Sequence, residues 1–411
     1  MLKQAPTKED ISFHLIKPEY SAKSIQRGLL SDLLSDDDVR LIREFIAEKR
    51  SCDNIKTGRE NKLVFTLIGW RRFIGHFRDN SIADLYDGID SLKKGKSTKG
   101  KPYKHNTILD FIAILKQFYS WMIENEYSEI PERKLIKIKI PKKDTMTKEA
   151  GDLMTKTEIS AMMNACQRSR DRALIMTLYE GGFRIGEIAT MTWKDMVFDQ
   201  YGVIVNLNFK TGKPRYVRLI MATEYLAAWK RDYPFNPVGE NLVFITRQSN
   251  ALSHGMITSQ LRRIGNRAGI EKHITAHVFR HSRITHLITD GVNESVIKLM
   301  MWGSLTTKMF DTYAHLTGND IDNELLRNYG LARSDSKAAK KESLEPVQCR
   351  HCNTINSPMS AYCSTCGLEL NKDAKDKIEA MEKDVDEHPE ILKAMIDKAI
   401  EEKMSRMPAH G

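Results

Sequence analysis

Apolar side chains at Val39, Ile42, Phe45 and Ile46 follow the spacing of a helix with one buried stripe, and the acidic run just ahead of them suits a helix N-terminus. The same period recurs in "ENKLVFTLIGWRRFIGHF", "SIADLYDGIDSL" and "NTILDFIAILKQFYSWMIENEY". Residues 35–135 therefore read as a small all-helical domain behind a leader, residues 1–34, that lacks sustained periodicity. The segment "KLIKIKIPKKDTMTKEAG" is basic, carries a proline and is poor in core residues, which predicts an extended linker over 136–152. Helical spacing returns at "MTKTEISAMMNACQ", where a threonine before the helix and Glu158 suit a reciprocal cap, and at "RDRALIMTLYEGG". In "YGVIVNLNFKTGKPRYVRLIM" the period becomes two: Val203, Val205, Leu207 and Phe209 alternate with their neighbours, and Val217 and Leu219 do so after a Gly/Pro turn, which predicts a β-hairpin. Helices resume near 223, 256, 277, 293 and 308. The expected fold class is α+β, mainly helical with a small hairpin, over 153–330. A charged linker (331–346), a small module (347–370) and a helical tail (371–411) follow, the tail interrupted at Pro389 and carrying Leu392, Met395, Ile396 and Ala399 on one stripe.

A chain of 411 residues is long enough for two or three domains, and its 64 Lys+Arg against 54 Asp+Glu leave a charge of +10 that suits a polyanionic partner. Arg71, Arg72, Lys93, Lys94, Lys96, Lys99, Lys101 and Lys104 lie between the apolar faces of the helical domain and give it a basic side. The start "MLKQAPTKED" lacks the apolar run of a signal peptide, and stretches such as "FIAILKQFYSWMI" are short and interrupted, so a soluble, cytoplasmic chain with no membrane partner is expected. Four of the six cysteines, Cys349, Cys352, Cys363 and Cys366, stand as two close pairs separated by a ten-residue loop in "CRHCNTINSPMSAYCSTCG". That spacing places four thiolates around a tetrahedral Zn2+, closed and structural because the protein supplies every ligand. A disulfide pair is the other reading, and an intracellular chain disfavours it. Cys52 and Cys166 read as inert thiols.

The stretch "AHVFRHSRITHL" carries His277, Arg280, His281, Arg283 and His286 on a predicted helix. His277 and Arg280, three apart, project from one side and can converge on a single target, a solvated basic helix with a histidine or two packed at its edge being the other reading. In "YEGGFRIGEIATMTWKD" a Gly-Gly break precedes Arg184 as the next helix begins, where unpaired N–H groups and a guanidinium suit a phosphate. A plainer reading is that Arg184 and Glu187 only tie a helix to its neighbour. Arg184, Lys210 at the hairpin tip, His277 with Arg280, and Tyr313 in "MMWGSLTTKMFDTYAHL" stand in one order.

In that order of motifs the sequence resembles the catalytic domain of the tyrosine recombinases, the phage integrase family, over about residues 150–330, and the helical domain ahead resembles the family's core-binding, SAM-like domain. The resemblance implies that Arg184 is the first-box arginine, Lys210 the hairpin lysine, His277 and Arg280 the HxxR pair and Tyr313 the nucleophile, with Glu187 in a supporting acidic position. One position departs from the pattern. Ser304 stands nine residues before Tyr313, where the family has His or Trp, and Trp302 lies eleven before it. A register change in the connecting turn lets Trp302 take that role, a core or turn tryptophan being the other reading. Arg283 and His286 are left as surface or structural groups.

The chemistry implied is site-specific recombination through a 3′-phosphotyrosyl link, with His277 assisting loss of the Tyr313 proton and Lys210 protonating the leaving 5′ oxygen. No ATP, Mg2+ or other catalytic cofactor is required. The implied partners are double-stranded DNA and three further copies of the chain, a homotetramer on two DNA sites. The C-terminal module acts between subunits, on flanking DNA or on another protein. A type IB topoisomerase and a non-catalytic DNA-binding factor on the same fold are the alternatives.

Overall fold

Helix α2 (Asp36–Asp53) begins where the acidic run requires it: Ser35 Oγ accepts the Asp38 N–H (3.1 Å) and Asp38 accepts the Ser35 N–H (3.0 Å). Its stripe of Val39, Ile42, Phe45 and Ile46 is buried. The computed structural model describes residues 4–10, 17–144, 150–207, 214–310, 313, 344–387, 389, 390, 393 and 397. It divides into two units, residues 14–147 and residues 1–13 with 148–411.

The first unit contains α1 (Glu19–Leu30), α2, α3 (Thr57–Trp70), α4 (Ile82–Lys94), α5 (His105–Glu124) and the short α6 (Glu132–Ile136). Phe118 of α5 anchors its core, meeting Phe45 edge-on at 5.2 Å and Phe77 at 4.9 Å. Helix α1 lies inside the stretch read as a leader. Its Ile25 is buried in this core, and Asn61 of α3 donates to the Lys17 carbonyl (3.1 Å).

Asp38 does more than cap α2. Its buried carboxylate also accepts the Phe77 N–H (2.9 Å) and Arg71 Nε (3.1 Å) and meets His76 Nδ1 at 2.7 Å. Burial opposes its charge, but the Phe77 and Ser35 N–H groups, His76 and Arg71 outweigh burial and hold its carboxyl below the usual range. Arg71, expected on the basic side, is therefore an internal group, 7% exposed, because it answers this carboxylate. The lysines of that patch, Lys93, Lys94, Lys96, Lys99, Lys101 and Lys104, are exposed.

The second unit opens with α7 (Lys156–Asn164), capped reciprocally by Thr155 and Glu158. Helix α8 (Ser169–Gly181) runs through its core, buried along nearly its whole length, and the short α9 (Ile185–Ala189) follows a tight turn. An antiparallel sheet comes next, in the order β1 (Met196–Asp199), β2 (Gly202–Leu207), β3 (Arg215–Leu219), with Val205 opposite Val217 and Val203 opposite Leu219. The hairpin expected from the period-two pattern is β2–β3. Strand β1, only four residues long and half exposed, is too short to show the pattern. Phe209 and Lys210 lie outside the described residues.

Helices α10 (Thr223–Arg231), α11 (His254–Arg267), α12 (Ala276–Thr289) and α13 (Glu294–Trp302) follow, with a 3₁₀ turn at Lys308–Phe310 after them. Glu180, at the end of α8, accepts the N–H groups of Ile220 (2.6 Å), Met221 (3.0 Å) and Ala222 (2.8 Å), fastening the start of α10. The fold is α+β, helices dominating small antiparallel sheets. No helix among the described residues is long and apolar enough to cross a membrane.

The C-terminal module, with β4 (Val347–Gln348) paired to β5 (Ile355–Asn356), sits on α10. Ser360 donates to Glu224 Oε2 (2.6 Å), and the Tyr225 and Ser357 hydroxyls are 2.9 Å apart. Leu344, inside the expected linker, is instead buried in the unit's core, because an apolar side chain beside α10 gains more from burial than from water. Helix α14 (Lys372–Glu387) follows. Pro389 is itself helical, since an exposed helix can forgo one N–H bond at a proline. Leu392, Met395, Ile396 and Ala399 fall outside the described residues.

Asp38→Ala removes a cap and strands the Arg71 charge, so it should cost about 3 kcal/mol in urea unfolding. The native carboxyl pKa is lowered, so its contribution is complete above the unfolded-state value and is lost as pH falls through the folded one. The gap between wild type and variant should close below about pH 4.

Candidate active site

Helix α8 is capped by Gly182, which adopts φ +54°. The positive φ favours glycine, and a Cβ there would stand 2.6 Å from Met301 Sδ and force that side chain to move. Arg184 follows and leads α9. Its N–H donates to Glu187 Oε2 (2.7 Å) and its guanidinium to Glu187 Oε1 (3.0 Å). The N–H expected to face an anion is thus used inside the turn, and the side chain, 30% exposed, reaches outward instead.

Glu187 is 1% exposed and also receives Arg215 of β3 at 2.7 Å. The other guanidinium arm of Arg215 donates to the Met300 carbonyl. Arg280, in the second turn of α12, is 4% exposed and donates to the Gly182 carbonyl (2.5 Å) and the Met301 carbonyl (2.6 Å). Its guanidinium lies 5.3 Å from the Trp302 ring centre. Arg184 and Arg215 pair with this carboxylate while Arg280 beside them donates to carbonyls, so these four side chains together carry an excess of two positive charges. Burial, then Arg184 and Arg215, push the Arg280 pKa down, and burial does the same to Arg215 against the pull of Glu187.

Tyr313 is 4% exposed, packed with Ile284, Leu287, Ile297 and Met301 of α12 and α13. Its hydroxyl meets His281 Nδ1 at 2.5 Å, and its ring centre is 5.4 Å from His281 and 6.2 Å from Trp302. Burial pushes the phenol up to about 12, against the opposing pull of Arg280 and Arg184. Arg184, Arg280, Trp302 and Tyr313, expected together, converge here. His277 stands one turn before His281, ring centres 6.2 Å apart, while Lys210 is outside the described residues.

Two residues of the site were missed from the sequence. Arg215 shares the period-two face of Val217 and Leu219, and a buried arginine on a strand signals a buried carboxylate. His281, one turn after His277, shares its helix face. Arg283 and His286 are structural: Arg283 Nε donates to the Glu180 carbonyl (3.2 Å), His286 Nδ1 meets the Tyr179 hydroxyl (2.9 Å), and burial lowers His286 to about 4.

The thiols of Cys349, Cys352, Cys363 and Cys366 lie within 4.8 Å of one another, with 3.6 Å between Cys349 and Cys366 and 3.4 Å between Cys352 and Cys363. Four sulfurs bound at about 2.3 Å to tetrahedral Zn2+ are about 3.8 Å apart, so this donor set fits that ion.

Residues 152–319 match the model of the phage integrase family. Over 334 residues the chain is 27% identical to transposase A from transposon Tn554 of Staphylococcus aureus, covering 76% of this chain and 83% of the relative. Over 253 residues it is 27% identical to tyrosine recombinase XerC of Xanthomonas campestris, covering 61% and 75%. In fold it is similar to the XerH site-specific recombinase bound to its difH substrate before cleavage (TM-score 0.51, 17% identity, 80% of this chain and 99% of that one). It is also similar in fold to the lambda integrase bound to DNA (TM-score 0.52, 14% identity, 69% and 98%).

Glu187→Ala leaves three clustered guanidinium groups without their carboxylate and should lower unfolding free energy by about 3 kcal/mol at low salt. Sulfate, by binding the native cluster, should restore more stability to this variant than to wild type. Equal sulfate responses would mean that the cluster takes no anion.

Proposed function

Because the chain is a tyrosine recombinase of the phage integrase family, an enzyme that breaks and rejoins DNA at specific sites, we propose that Tyr313 is its nucleophile. Arg184 and Arg280 clamp the scissile phosphate of double-stranded DNA. The observation that carries this is the two-charge excess of the arginine cluster beside a buried tyrosine. A phosphodiester is a monoanion, and attack on it builds further negative charge on the nonbridging oxygens, which preorganised guanidinium groups stabilise without reorganising. Arg280 spends two N–H groups on carbonyls, and the rest of its fork remains for phosphate oxygens. Arg215 keeps Glu187 engaged, so Arg184 is not neutralised by that carboxylate alone.

Trp302 holds the Arg280 plane from the other side, and His277 donates to the same phosphate. Lys210, in the segment between β2 and β3, gives a proton to the departing 5′ oxygen. The phosphate passes from that oxygen to Tyr313, and the 3′-phosphotyrosyl bond keeps the energy needed for rejoining. The arginines supply the charge stabilisation, so this step calls for neither ATP nor Mg2+.

Each chain has one such tyrosine, and exchange between two duplexes cuts four strands, so a homotetramer on two sites is the complete machine. It works in the cytoplasm. The exposed lysines of the first unit neutralise neighbouring phosphates. The four cysteines hold a structural Zn2+, and the face of the module turned away from α10 is open to a second protomer or another protein.

Nicked duplexes of random sequence serve as probe, with covalent protein–DNA adduct on a denaturing gel as readout. Tyr313→Phe should bind DNA and form no adduct; adduct in that variant would move the nucleophile elsewhere. Arg184→Ala or Arg280→Ala should slow adduct formation at least ~10²-fold, the usual cost of one lost oxyanion donor, and a near-normal rate would remove that arginine from the site. Native mass spectrometry should find one zinc per chain, lost with a strong chelator. Retention of the same mass after chelation would contradict the metal assignment.

A further inference from the structure

The sequence assigns loss of the Tyr313 proton to His277, but the group in hydrogen-bond contact with the Tyr313 hydroxyl is His281. Its Nδ1 is 2.5 Å from that oxygen, and the two rings lie 5.4 Å apart at 36°. We propose that His281 positions the Tyr313 hydroxyl and receives its proton as the phenolic oxygen attacks the phosphate. This rests on Tyr313 being the nucleophile.

A buried phenol, shifted up toward 12, is a poor nucleophile until a base takes its proton, and the acceptor must already touch the oxygen that attacks. For the hydroxyl to donate, Nδ1 of His281 carries no proton and Nε2 carries the ring's single one. As the Tyr313 oxygen forms its bond to phosphorus and the bond to the 5′ oxygen breaks, the phenolic proton moves to Nδ1 and His281 becomes an imidazolium. The 5′ oxygen takes its own proton from Lys210. On rejoining, the 5′ hydroxyl attacks and loses its proton to Lys210, and the imidazolium returns its proton to the departing Tyr313 oxygen.

Placement supports the division of labour. His277, Arg280 and His281 occupy the first turns of α12, with His277 nearest the helix start. Arg280 points to Gly182 and Met301, while His281 meets the Tyr313 ring, which packs in the small core of Ile284, Leu287, Ile297 and Met301. In this division His277 is left to the phosphate with Arg184 and Arg280, and His281 serves the nucleophile.

Adduct formation on the random nicked duplexes gives the first test. His281→Leu should slow it at least ~10²-fold, the lower range for loss of a general base. Asn places a polar atom where Nδ1 stands, whereas Gln mimics Nε2. His281→Asn should therefore be faster than His281→Gln, an order that a purely space-filling role does not produce. A loss under about threefold in His281→Leu, or equal rates for Asn and Gln, overturns the proposal while leaving the nucleophile in place. Adduct in Tyr313→Phe overturns the nucleophile as well, so the two failures are distinguishable. The second test needs no DNA and no variant activity. In the full chain labelled with 15N-histidine, the His281 signals, assigned by their absence in His281→Asn, should show a bare Nδ1 and a protonated Nε2. A protonated Nδ1 would overturn the proposal.

Discussion

The Glu187 carboxylate is the contact on which the catalytic unit depends. Buried to 1% exposure, it would be costly as an isolated charge, yet it accepts the Arg184 N–H and pairs with both Arg184 and Arg215. Those bonds join the turn after α8 to strand β3, and Arg215 carries the connection to the Met300 carbonyl at the end of α13. Arg280 closes the ring by bridging the Gly182 and Met301 carbonyls. Five elements meet through one carboxylate and three guanidinium groups. The charges of these four side chains do not balance, and in the proposed function a DNA phosphate offsets the positive excess.

Tyr313 belongs to this arrangement through packing. Its ring completes the small core between α12 and α13, and the same two helices supply Arg280, His281 and Trp302. Under the proposed roles, the nucleophile, its proton acceptor and one arm of the phosphate clamp share one support, which would keep the attacking oxygen and the developing charge in register. The module bearing the four cysteines is fastened elsewhere, on α10, whose start is held by Glu180 only four residues before Arg184.

Much of this was legible because it is periodic or ordered along the chain. The Val39–Ile46 stripe, the alternation of β2 and β3 and the pairs of cysteines announce their structures within a few residues. The order of Arg184, His277, Arg280 and Tyr313 points to one shared site. What escaped depends on partners far apart in sequence. Arg71 looks like a surface cation until Asp38 meets it, and Arg215 looks like hairpin charge until Glu187 does. His281 seems one of several histidines until Tyr313 folds onto it. The packing of α1 and Leu344 likewise depends on surfaces that only the folded units create.

The claim that the arginine cluster directs one phosphate onto one tyrosine is tested most directly by mapping the covalent link. Adduct formed on the random nicked duplexes is trimmed with nuclease, digested with trypsin and sequenced by mass spectrometry. The nucleotide should be found on Tyr313, joined through its 3′ phosphate. A nucleotide on any other residue, or a 5′ linkage, would contradict the account.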